Sequence, residues 1–155
     1  MEKQIDYYFD LVSPYSYIAS MLIDEVARRG NAKVSWKPFL LGGVFKAVGT
    51  TEAPGLHPAK KPYLLKDLQR LSGHLKIPIK MPPDFPVRTV LVMRTLCGFN
   101  EDEIPQAAHT LYKAYWVNNQ DIADPDVVGL LVGRESVERA GIQEIKDSLF
   151  KSTAE

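Results

Sequence analysis

Asp10-Leu11-Val12-Ser13-Pro14-Tyr15-Ser16-Tyr17 closes a short hydrophobic run and opens a helical one, and its reading decides the fold. Upstream, Ile5, Tyr7 and Phe9 alternate with Asp6, Tyr8 and Asp10, the period of a strand buried on at least one face. Downstream, Tyr17, Met21, Leu22 and Val26 recur at helical spacing, and Pro14 suits the first helical turn, where its missing N–H costs nothing. Ser13 therefore stands at a helix N-terminus. Unpaired backbone N–H groups and the aligned peptide dipoles favour an anion there, whether phosphate, carboxylate or thiolate.

Two readings of Ser13 follow. A serine before a helix ordinarily caps it. The same hydroxyl can hold a thiolate brought by another molecule. Neither Ser13 nor Ser16 carries sulfur, so this Ser-x-x-Ser cannot run dithiol–disulfide exchange where thioredoxin-like proteins place Cys-x-x-Cys.

Composition narrows the class. The chain has 155 residues, 45% of them hydrophobic, which suits one globular unit with a real core. With 19 basic and 19 acidic side chains there is no global field to draw nucleic acid or an anionic membrane, so any anion site is local. No apolar run approaches the roughly 18–20 residues that span a bilayer, and Met1-Glu2-Lys3 leads into a strand without a signal-peptide pattern. A single cysteine, Cys97, allows no intrachain disulfide and fits a reducing compartment, with the cytoplasm as the default. Met93, Leu96 and Phe99 mark it as a small buried hydrophobe. His57, His74 and His109 show no metal-ligand spacing, and no metal is expected.

Along the chain, residues 33–38, with Val34 and Trp36 on one face, form a second strand expected to pair parallel to the first through a right-handed crossover. Gly42-Gly43 and residues 49–62 read as an irregular connection. Helical patterns follow through Tyr63, Leu64, Asp67, Leu68 and Leu71, then through Val90, Met93, Leu96 and Cys97, and over residues 107–116 and 142–150. Pro105 and Pro125 are helix openers. The expected fold class is α/β, a thioredoxin-like sheet with an inserted helical domain: residues 1–41 hold the first βαβ part, 42–141 the insert, and 142–155 a helix leading back.

The turn Asp10-Leu11-Val12-Ser13-Pro14-Tyr15-Ser16-Tyr17 resembles that of the kappa-class glutathione transferases and 2-hydroxychromene-2-carboxylate isomerases, two branches of one DsbA-like thioredoxin-fold family. The likeness continues through Lys37-Pro38-Phe39-Leu40-Leu41-Gly42-Gly43, Pro58-Ala59-Lys60-Lys61-Pro62-Tyr63, Asp67-Leu68 and Ile77-Pro78 to Trp116-Val117-Asn118-Asn119-Gln120-Asp121-Ile122. The family pattern runs on past the equivalent of Glu155 into a Val-Pro-Thr turn, two strands and a helix. This sequence carries none of those motifs, so the expected sheet is incomplete at its C-terminal end.

The resemblance implies glutathione as cofactor, a small aromatic or electrophilic substrate and a homodimer. It makes Ser13 the donor that holds the thiolate. Lowering the glutathione thiol pKa by about two units needs about 2.7 kcal/mol, and one charge-assisted hydrogen bond is worth about 1.5–3 kcal/mol. The helix end can add about 0.3–1 kcal/mol, so Ser13 and the helix end together suffice without a general base. Lys60 matches a lysine pairing with a glutathione carboxylate, or is a solvated loop residue. Asp67 matches the acidic residue near the peptide's other end. Thr50 stands where the family has asparagine, with Thr51 an equal candidate. Tyr15, Trp116, Asn119 and Asp121 match positions lining the substrate pocket, while Trp116 as core and Asp121 as a turn cap are the structural alternatives. Two enzymatic readings remain, reversible thiolate addition giving net isomerisation in aromatic degradation, and irreversible conjugation by a transferase. A third keeps the fold as a non-catalytic binding domain.

Overall fold

The computed structural model describes residues 3–50, 53 and 55–155. Strands β1 (Lys3–Phe9) and β2 (Ala32–Pro38) lie parallel, with Ile5 opposite Val34 and Tyr7 opposite Trp36. The register follows from the alternation: Tyr7, Phe9 and Trp36 turn inward to a common core, while Gln4, Asp6 and Tyr8 face out. A parallel pair needs a crossover, here helices α1 (Pro14–Ser20) and α2 (Ile23–Gly30).

That crossover departs from the single stripe expected of residues 17–26. Met21 and Leu22 form a turn, their N–H groups bonded to the Ile18 and Ala19 carbonyls, and it resets the helical phase. Ile23 and Ala27, one helical turn apart, take the inward side, leaving Met21, Leu22 and Val26 exposed.

After β2 come α3 (Leu41–Ala47), α4 (Lys61–Leu75), α5 (Val90–Cys97), α6 (Ile104–Trp116), α7 (Pro125–Val132), α8 (Arg134–Arg139) and α9 (Gln143–Ala154). Gly42 and Gly43, expected in an irregular connection, lie within α3. Tertiary contacts outweigh the low helix propensity of glycine at this point. Leu40 donates its N–H to Thr153 Oγ1 of α9 at 3.0 Å, and a Cβ on Gly43 would come within 3.0 Å of the Thr153 methyl. The glycine lets α9 approach α3. Pro105 lies in the first turn of α6, and Asp124 caps α7 by accepting the Asp126 N–H at 2.8 Å.

Aromatic rings tie the sheet to α6. Trp36 meets Tyr7 and Phe9 edge-on at centroid distances of 4.8 and 5.2 Å, and Tyr17 of α1 packs on Tyr112 and Trp116 of α6. Phe9, Leu11, Tyr112 and Trp116 are wholly buried. Full burial of such side chains contributes about 1.5–3 kcal/mol each, so the turn between β1 and α1 stands on a rigid platform.

Candidate active site

The chain turns at Asp10, whose carbonyl accepts the Ser13 N–H at 3.0 Å. Ser13 then caps α1: its backbone is extended and its Oγ accepts the Ser16 N–H at 3.2 Å. The capping reading holds, and it leaves the other role open. A hydroxyl that accepts through a lone pair keeps its O–H to donate, and among the described residues the Ser13 hydroxyl donates to no protein group. Helix α1 has seven residues before the turn at Met21, so local N–H groups rather than a long helix dipole set the field.

Asp10 holds this turn in place. Its carboxylate is 1% exposed and accepts the Val12 N–H at 3.2 Å and the Leu41 N–H at 2.9 Å, with the Thr89 hydroxyl beside it. Burial pushes its carboxyl above the usual 3.8, against the opposing pull of these donors. From the other side the Trp116 indole donates to the Leu11 carbonyl at 2.9 Å. A contact across 105 residues of chain thus helps clamp Asp10, Leu11 and Val12, the three residues that present Ser13.

Ser13 opens onto a cavity of about 490 Å³. Pro14 and Tyr15, then Leu40, Leu41 and Phe45, then Leu56 and Leu64, and residues 85–90 line it. The wall is mainly apolar. Its polar side chains are those of Asp10, Ser13, Tyr15, Arg88 and Thr89.

The expected site residues divide. Ser13 and Tyr15 line the cavity, and the Tyr15 hydroxyl donates to Asp67 Oδ2 at 2.7 Å, which brings Asp67 of α4 beside it. Burial first, and then the Asp67 carboxylate, push the Tyr15 phenol up to about 12. Trp116 is wholly buried and does not line the cavity. It packs behind Phe85, a wall residue, at a centroid distance of 5.9 Å, so it shapes the wall from within the core. Lys60 is exposed just before α4, away from the wall. Its neighbour Lys61 lines an adjoining cleft of about 160 Å³ that shares Gly55, Leu64 and Phe85 with the cavity.

Thr50 is exposed after α3, bonded through its N–H to the Phe45 carbonyl at 2.8 Å, and is not a wall residue. Thr51 lies outside the described residues. Asn119 and Asp121 are exposed beyond α6 and do not line the cavity. Asp121 caps a turn through the Ala123 N–H at 2.9 Å. Sequence reasoning missed the wall formed by Leu41, Phe45, Phe85, Arg88 and Thr89. It quoted Asp10 in the motif without giving it a role. The signal for Asp10 was present, an acid at the inner end of a buried strand.

Residues 4–152 match the model of the DSBA-like thioredoxin domain. The chain belongs to that family. Glutathione S-transferase kappa 1 of Homo sapiens is 29% identical over 136 residues, covering 83% of this chain and 60% of the human protein. Glutathione S-transferase kappa 1 of Caenorhabditis elegans is 30% identical over 159 residues, covering 95% of this chain and 70% of its own length. A solved structure of 2-hydroxychromene-2-carboxylate isomerase superposes with a TM-score of 0.83 at 21% identity, over 97% of this chain and 77% of that one. This DSBA-like domain therefore has the expected thioredoxin-type fold, a small sheet with many helices, and spans about three fifths of the human relative. Among its described residues no helix is long and apolar enough to cross a membrane, and no His, Cys, Asp or Glu group could hold a metal ion.

Proposed function

We propose that this domain is a glutathione-dependent isomerase of the 2-hydroxychromene-2-carboxylate isomerase type, acting on a conjugated aromatic-degradation intermediate. One observation carries the reading: the uncommitted Ser13 hydroxyl opens onto a large apolar cavity beside a carboxylate already satisfied by backbone donors. The donor set fits a thiolate. Bound glutathione would supply the nucleophilic sulfur that adds reversibly to the conjugated substrate.

The chain's own residues then have separate tasks. Ser13 donates its O–H toward the sulfur while Ser16 holds the serine oxygen in place. Asp10 keeps the turn in one geometry, so little reorganisation accompanies the charge. Tyr15, held by Asp67, and Phe85, backed by Trp116, flank the acceptor with flat apolar surface and exclude water. Lys60, or Lys61 in the adjoining cleft, serves a glutathione carboxylate. Thr50, Asn119 and Asp121 lie off the cavity wall and are given no task in this reading.

The relatives named transferases favour a second reading, in which the same thiolate conjugates an electrophile irreversibly. The resemblance also supports a cytoplasmic homodimer, with residues 42–141 inserted between the first βαβ part (1–41) and the returning helix (142–155).

Titration of glutathione's ultraviolet thiolate absorbance in the presence of the protein tests the site. Ser13→Ala is expected to raise the pKa of the bound thiol by about one unit or more. An unchanged titration removes Ser13 from the mechanism.

A further inference from the structure

Two charged side chains lie on the cavity wall among the described residues, Asp10 and Arg88, and their situations are opposite. Asp10 is almost wholly buried and its oxygens accept the Val12 and Leu41 N–H groups. Arg88 is exposed and takes part in no hydrogen bond, ion pair or ring contact with a described residue. Its backbone is nevertheless placed, because the next residue, Thr89, caps α5 and accepts the Met93 N–H through its carbonyl at 2.8 Å. Arg88, on a fixed anchor, therefore lines an apolar cavity with its five guanidinium N–H donors spent on no described residue.

We infer that Arg88 selects the acceptor, holding an oxyanion, a carboxylate foremost, on a substrate whose apolar body lies along the cavity wall. The inference rests on the proposed reading of the cavity and gives it a specificity residue. A planar fork of donors matches a carboxylate through two parallel hydrogen bonds. The match gains strength as the apolar body displaces water from the wall, since a lower local dielectric strengthens the attraction. A neutral occupant gains at most a single hydrogen bond from Arg88, without the charge or the two-point match, and partly desolvates an unpaired cation. The cavity therefore distinguishes acid from neutral isostere, not merely aromatic from aliphatic.

A carboxylate could come from the acceptor or from glutathione itself. The acceptor is favoured because Lys61 stands in the adjoining cleft behind Leu64 and Phe85, where it can serve the peptide separately.

The test uses unreactive probes and needs no turnover. Binding of 2-naphthoate and of 2-naphthamide is measured by calorimetry, with and without saturating S-methylglutathione, for the wild type, Arg88→Gln and Arg88→Lys. The wild type is expected to prefer the acid by about tenfold, R88Q to bring the ratio near one, and R88K, a point charge without the fork, to fall between. A wild-type ratio near one, or a preference that survives in R88Q, overturns the inference. So does a loss of S-methylglutathione affinity in R88Q with the acid-to-amide ratio kept, which would assign Arg88 to the peptide. If the wild type fails to bind S-methylglutathione, the glutathione reading falls, and the ratio measured without it still judges Arg88.

Discussion

Replacing Asp10 by alanine probes the frame that presents Ser13. The change removes the acceptor of two part-buried N–H groups, those of Val12 at 3.2 Å and Leu41 at 2.9 Å, and leaves the Thr89 hydroxyl facing a void. An unsatisfied donor at such a place costs about 1–2 kcal/mol, and removal of a poorly solvated carboxyl offsets part of the sum, for a net loss of about 2–3 kcal/mol. Asp10→Asn keeps the shape and one acceptor oxygen but turns an NH2 toward the second N–H, so about half that loss is expected.

The pH dependence has a definite sign. Burial raises the Asp10 carboxyl above 3.8 in the folded protein, so over the window from 3.8 upward the folded state binds more protons than the unfolded one. Stability from this group is fully present below 3.8 and is lost as pH rises through the folded value. Alanine has no such dependence, so the stability gap between wild type and Asp10→Ala widens as pH is lowered through that window. Urea unfolding at several pH values measures it. An Asp10→Ala protein as stable as the wild type would refute the clamp, whereas a gap that narrows on acidification would show that the N–H and hydroxyl donors outweigh burial in setting the Asp10 pKa.

Lys60→Met is expected to weaken glutathione binding by about tenfold while leaving the bound thiol's titration in place, as calorimetry and absorbance would show; equal affinity returns Lys60 to the solvated surface. Trp116→Phe loses the 2.9 Å bond to the Leu11 carbonyl and part of a wholly buried ring, for an expected loss of about 2–4 kcal/mol in a denaturation experiment. Burial pushes the Cys97 thiol up to about 11, so at neutral pH only roughly one molecule in ten thousand carries the thiolate; iodoacetamide should label it far more slowly in the native protein than in the unfolded chain.

What could be read in the letters was local. Alternation from Ile5 to Phe9 and around Trp36 placed two strands and the faces they bury, and a serine before proline placed Ser13 at a helix start, because strand and helix repeats are set by neighbours along the chain. The helices α4, α5, α6 and α9 were legible for the same reason. The break at Met21 and Leu22 was not, since apolar spacing alone does not show where a turn resets the phase. Trp116 admitted two readings, and the choice came from an N–H reaching a carbonyl 105 positions earlier.

Only the tertiary structure decided the cavity. Its walls come from the turn around Ser13, the residues around the start of α3, then Ala53, Gly55, Leu56 and Leu64, and residues 85–90, brought together by connections whose path no periodicity encodes. Asp10 was visible in the sequence as an acid at the inner end of a buried strand, but its burial and its partners were decided only when the start of α3 and Thr89 closed over it. Arg88 carried no signal at all. Its standing as an unspent cation depends on which groups fold near it, and that is a property of the packed chain rather than of its neighbours in sequence.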